Sequence, residues 1–149
     1  MSERSPILAV YGTLRRGEAN EQLLADATFL GTGCVDGRLF EMQRSDVRPY
    51  RYPSLISSSS GDVVVELYRL GGSATLAAVD ALEAYDPADE PGSEYLRVWV
   101  AVRDGPVDWA WVYTYNGPSD AIGGSIDDGD WVAHRRRLSA VDVLERTTD

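Results

Sequence analysis

The sequence predicts an α+β fold, a small mixed β-barrel or sheet with packed helices. Three observations point to it. The 149 residues suit one domain, spanning 1–149. Apolar or β-branched runs of strand length recur from Ile7 to Tyr115, and helical spacing is confined to a few segments between and after them.

Ile7–Tyr11 (ILAVY) is apolar throughout and ends at Gly12, as a strand buried on both faces should. Gly12–Gly17 (GTLRRG) reads as a glycine-bracketed loop, and Asn20–Ala25 as a short helix capped by Asn20. Phe29–Met42 reads as extended, punctuated by Gly31, Gly33 and Gly37. Arg44–Arg51 is expected to be a loop before the strand Pro53–Ser57, and Ser57–Gly61 a turn. Asp62–Leu70 is rich in β-branched residues and predicts a strand. Ser73–Asp86 then switches to helical spacing, with Ser73 as its cap and Pro87 just beyond its end. Tyr95–Val102 and Trp109–Tyr115 are two further strands joined by Arg103-Asp104-Gly105-Pro106. The acidic stretch Asp127–Asp130 reads as a solvated turn, and Leu138–Arg146 as a terminal helix.

Charge and composition exclude whole classes of chemistry. There are 24 acids against 14 bases, a formal net charge of −10, and every base is arginine. An acidic chain is not expected to bind nucleic acid or an anionic membrane, because phosphate neutralisation needs a basic face. Without lysine there is no Schiff base and no lysine-dependent phosphate loop. Cys34 and His134 are each the one residue of their type, so neither a cysteine cluster nor a two-histidine metal site exists. No cofactor and no metal is expected. The N-terminal apolar run is five residues long, too short for a leader core, and a cytoplasmic protein is expected. Arginine without lysine on an acidic chain suits either a halophilic host or a GC-rich coding bias.

Two features remain as chemistry. At about 100° per residue, Glu83 projects between Leu76 and Val79, inside the apolar arc of its helix, with Asp80 on the edge. A carboxylate facing a core should have a raised pKa, as a general base working near neutrality requires. The same position also suits a glutamate on the helix margin that hydrogen-bonds a tyrosine or Arg97. The loop from Tyr11 to Gly17 is the second feature. A strand running into a glycine-bracketed turn can leave convergent backbone N–H groups for a carboxylate or an oxyanion. It can equally be an ordinary connection.

Several segments, taken in order, resemble the γ-glutamylcyclotransferase-like, or AIG2-like, family. They are Ala9-Val10-Tyr11-Gly12-Thr13-Leu14-Arg15-Arg16-Gly17 with Asn20, Tyr52-Pro53-Ser54-Leu55, and Val64-Val65-Glu66-Leu67-Tyr68. The helix carrying Leu82-Glu83-Ala84-Tyr85 follows, then Tyr95-Leu96-Arg97 and Trp111–Tyr115. The likeness covers about residues 7–116, with Val65 and Ser54 standing where glycine is common, and a C-terminal extension over 127–149. The resemblance implies an enzyme releasing 5-oxoproline from a small-molecule γ-glutamyl substrate, an amino acid or an amine. The substrate's own α-amine would attack its γ-carbonyl, so the protein supplies orientation and proton transfer. Glu83 would be the general acid/base. The backbone of Gly12, Thr13 and Leu14 would hold the substrate carboxylate or carbonyl oxygen, and Tyr11 would shape the pocket. Tyr115 is the expected wall or hydrogen-bond donor, with Tyr113 set aside as facing the other way. Arg97 either orients Glu83 or faces outward. Glu66 is expected to be structural. A catalytically silent module binding a small carboxylate on the same fold is the alternative.

Overall fold

In the computed structural model, which describes residues 6–44, 46 and 52–138, the first apolar run is the middle strand of a five-stranded sheet. This strand, β1 (Ile7–Val10), lies antiparallel to β5 (Asp62–Arg69) and parallel to β7 (Trp109–Tyr115). The outer strands are β2 (Thr28–Asp36) beside β5 and β6 (Tyr95–Ala101) beside β7. Both faces of β1 are covered. Ile7, Ala9 and Tyr11 pack into one buried cluster with Val63, Val65, Leu67 and Val112, while Leu8 and Val10 join Leu14, Val79, Tyr95 and Tyr113 in another. This two-sided burial is why the strand reads as continuously apolar instead of alternating.

A three-stranded antiparallel sheet packs alongside, formed by β3 (Arg38–Met42) between β4 (Pro53–Ile56) and β8 (Ile122–Ile126). The extended run from Phe29 is therefore two strands in two sheets. Gly37, at φ 151°, makes the break, because a side chain there would be strained and would press on Leu55. Among the described residues the sheets remain open and do not close into a barrel. One bridge, Cys34 to Arg103, links the far edge of β2 to the end of the β6 segment.

The helical expectations need correction at their ends. The short segment after the loop is a 3-10 helix, Glu21–Leu24, and Asn20 makes no capping bond to it. The side-chain amide of Asn20 instead donates to Thr13 Oγ1 at 2.9 Å. The main helix, α1, covers Ser73–Leu82, four residues short of the expected end, and begins after Gly72 with no side-chain cap. Residues 131–138 are helical, so the terminal helix starts earlier than Leu138; the remainder of that expected helix, like most of the loop 44–51, lies outside the described residues. No helix among the described residues is long and apolar enough to cross a membrane.

Candidate active site

Strand β1 delivers the chain into the turn that begins at Tyr11. Gly12 is required there by space: a Cβ at this position would stand 2.6 Å from Pro53 Cγ. The turn is then shaped by its carbonyls and its later amides. Gly12 O accepts from Arg15 N at 3.0 Å and Thr13 O from Asn20 N at 2.8 Å. The Arg16 amide donates to Glu66 Oε1 and the Gly17 amide to Glu21 Oε2. None of these bonds uses the amides of Gly12, Thr13 or Leu14.

Glu83 arrives from the other side, at the C-cap of α1 rather than in mid-helix. Ala84 follows with φ 52°, and the termination is a Schellman motif: Tyr85 N donates to Asp80 O at 2.9 Å and Ala84 N to Ala81 O at 3.2 Å. The helical projection that pointed to Glu83 therefore runs one residue past the last helical turn. Leu82, on the expected apolar arc, is 37% exposed. Glu83 nonetheless lines a cavity of about 100 Å³ that is also lined by Tyr11, Gly12, Thr13 and Leu14. Asn20, Tyr52, Pro53, Tyr95 and Tyr113 line it too, with Ala9, Val10 and Leu82.

Three tyrosines give this cavity its electrical character. Tyr11 is buried, its hydroxyl donating to Tyr113 O at 2.8 Å. Burial pushes its phenol well above the usual value, and the negative charge of Glu83 adds to that. Burial likewise raises Tyr95, whose hydroxyl is hydrogen-bonded to Ser54 Oγ, with Glu83 again contributing. Tyr113 is raised by burial first and then by its hydrogen bond to Asp80, with Glu83 a further contribution. All three remain neutral phenols near the Glu83 carboxylate.

Two expected positions lie elsewhere. Tyr115 is not among the lining residues; its hydroxyl donates to Pro118 O at 2.9 Å, and its ring stands edge-on to Tyr95. Tyr113 lines the cavity instead. Residues two apart on a strand share a face, so Tyr113 and Tyr115 point the same way, and only depth along β7 separates them. Arg97 does not face outward: it donates to Asp80 Oδ2 at 3.2 Å and lies over the rings of Tyr85 and Trp111. Tyr95 is a lining residue that sequence reasoning did not single out, although it is opposite Tyr115 in the β6–β7 register.

The C-terminal stretch belongs to the site's support. Asp130 is no solvated acid: its Oδ1 accepts from Arg15 Nη1 at 2.8 Å and from the Ala133 amide at 3.2 Å. Arg15 is also bound to Glu66, so it brings two carboxylates with it and no surplus positive charge. Trp131 Nε1 and Arg135 both donate to Glu18, which fixes the far end of the turn. His134 meets Glu41 at 3.2 Å, and Cys34 is a free thiol raised by partial burial. Among the described residues, no group of three or more His, Cys, Asp or Glu stands together in a way that could hold a metal ion.

A family model described as "Gamma-glutamyl cyclotransferase, AIG2-like" matches residues 8–133, and so runs past the expected end near 116 into the supporting segment. The gamma-glutamylcyclotransferase family protein YtfP of Escherichia coli K12 is 32% identical over 124 residues, covering 83% of this chain and 93% of that one. The solution NMR structure of ytfP from Escherichia coli matches with a TM-score of 0.58 and 30% identity, over 87% of this chain and 98% of the other. A gamma-L-glutamyl-butirosin B gamma-glutamyl cyclotransferase from Niallia circulans is 31% identical over 113 residues, covering 74% of this chain and 67% of that protein.

Proposed function

The chain belongs to the gamma-glutamyl cyclotransferase, AIG2-like family, and from that premise we propose that it releases 5-oxoproline from a γ-glutamyl amino acid or γ-glutamyl amine. The observation that carries the proposal is the meeting of Glu83 with the Tyr11–Leu14 turn across one cavity. The substrate's α-nitrogen attacks its own γ-carbonyl carbon, forming the ring C–N bond. Glu83 accepts the proton released by that nitrogen and returns one to the departing amine as the original γ-amide C–N bond breaks. The amides of Gly12, Thr13 and Leu14 face the carboxylate or the carbonyl oxygen as its charge grows. Both reacting groups are carried on one molecule, so holding it folded supplies much of the rate enhancement.

The surroundings of Glu83 support this reading. The negative charge of Glu83 is felt by the buried phenols of Tyr11, Tyr95 and Tyr113, so the carboxylate stands close to the groups that line the same cavity. The name of the Niallia circulans relative, a cyclotransferase acting on a γ-glutamylated compound, supports the substrate class. A panel of γ-glutamyl amino acids and amines, assayed for 5-oxoproline, tests the proposal. Release from one or more members is expected. A folded protein that binds panel members with saturable heat and releases no 5-oxoproline would instead be a silent carboxylate-binding module.

A further inference from the structure

Beside the cavity lies an ion pair that takes no part in the reaction proposed above. Asp80, one turn before Glu83 on α1, accepts the Tyr113 hydroxyl on Oδ1 at 2.5 Å and Arg97 Nη1 on Oδ2 at 3.2 Å. Both charged side chains are largely covered, at 14% and 16% exposed. Arg97 Nε is buried with no hydrogen-bond partner, and the guanidinium is held at 5.5 Å from the Tyr85 ring centroid and 5.0 Å from that of Trp111. An arginine can only donate and an ionised carboxylate can only accept. Proton direction is therefore determined along the whole chain of contacts. Arg97 donates to Asp80, Asp80 accepts from both sides, and Tyr113 has to donate.

A phenol has one proton. With that proton committed to Asp80, the Tyr113 oxygen can offer the cavity only lone pairs. We propose that Asp80, held by Arg97, is a positioning residue that turns the Tyr113 proton away from the cavity, leaving an acceptor that selects a ligand with a free α-amine or ammonium. The inference rests on the cyclotransferase reading for the identity of that ligand, and on the geometry alone for the direction of the proton. A phenol free to rotate would also donate, and would accept a blocked, carbonyl-bearing nitrogen about as well.

Asp80→Asn reverses the arrangement. Arg97 would claim the amide oxygen, which is the one acceptor the new side chain has. The amide nitrogen would then donate to Tyr113, and the phenol proton would turn into the cavity. Wild type, Asp80→Asn, Tyr113→Phe and the double variant are titrated calorimetrically with L-glutamine and N-acetyl-L-glutamine, folding is checked by circular dichroism, and 5-oxoproline is assayed after each titration.

Wild type should prefer the free amine by about tenfold or more, the value of one hydrogen bond to a charged group. Asp80→Asn should bring the preference close to unity, and Tyr113→Phe should do the same. Adding Asp80→Asn to Tyr113→Phe should change nothing further, which damage to the fold alone would not reproduce. Three results overturn the proposal: no preference in wild type, a preference retained in either variant, or losses that multiply in the double variant. If Asp80→Asn does not fold, Tyr113→Phe decides by the same criterion. A preference without 5-oxoproline from any γ-glutamyl compound would sink the enzyme reading and leave this inference standing. Turnover with the preference intact in the variants would do the reverse.

Discussion

Arg15 Nε donates to Glu66 Oε2 at 2.8 Å, and the two side chains are only 10% and 8% exposed. The bond ties the turn after β1 to the neighbouring strand β5, and Asp130 on the other side of Arg15 ties it to the segment before residues 131–138. Glu66 also accepts the Arg16 amide, so one carboxylate fixes both a side chain and the backbone of the turn.

Glu66→Ala should therefore destabilise strongly, by about 3 kcal/mol, because it leaves a buried guanidinium and a backbone amide short of their acceptor. Urea unfolding measures this. A loss below about 1 kcal/mol would show that Asp130 alone satisfies Arg15.

Ala84 occupies the left-handed position of the Schellman motif, where an L-residue with a Cβ is strained by about 1–2 kcal/mol. Ala84→Gly should relieve that strain at some cost in chain entropy, for a net gain of about 0.5–1 kcal/mol. Thermal unfolding should show a higher midpoint. A lower one would mean that the residue after Glu83 is held by contacts of its methyl group and not merely tolerated.

The Asp130 carboxyl is raised by burial, but the Arg15 hydrogen bond and the backbone amides of Ala133 and Val132 outweigh this and hold it below its ordinary value. A group whose pKa is lower folded than unfolded lends stability that is complete above its unfolded pKa, about 3.9 for aspartate. That stability is lost as pH falls through the folded value. Acid unfolding should thus begin below about pH 4 with a contribution from Asp130. Asp130→Asn should lower stability at neutral pH and flatten this acid limb. An unchanged pH slope would remove Asp130 from the account.

How much of this was legible in the sequence depends on whether the signal was local. Ile7–Val10 was readable because both of its faces are buried, and Trp109–Tyr115 because aromatic and β-branched residues mark a pleated surface. Strand β8, sequence IGGSI, was not: its glycines and serine carry almost no strand preference, and only pairing with β3 makes it one. Glu83 was reached through a helical projection that overran the helix, so the residue was singled out while its C-cap setting was missed. The partners of Arg97, Asp130 and Tyr113 are separated from them by 17, 115 and 33 residues. Periodicity cannot see such distances, and these contacts support the cavity wall and the turn.

Glu83→Gln tests the central claim most directly, because glutamine keeps the shape of the side chain and removes its ability to carry a proton. With a γ-glutamyl substrate from the panel, the rate of 5-oxoproline release should fall about 10²–10⁴-fold, with the unfolding midpoint near that of wild type. A folded Glu83→Gln variant that keeps most of the wild-type rate would contradict the account.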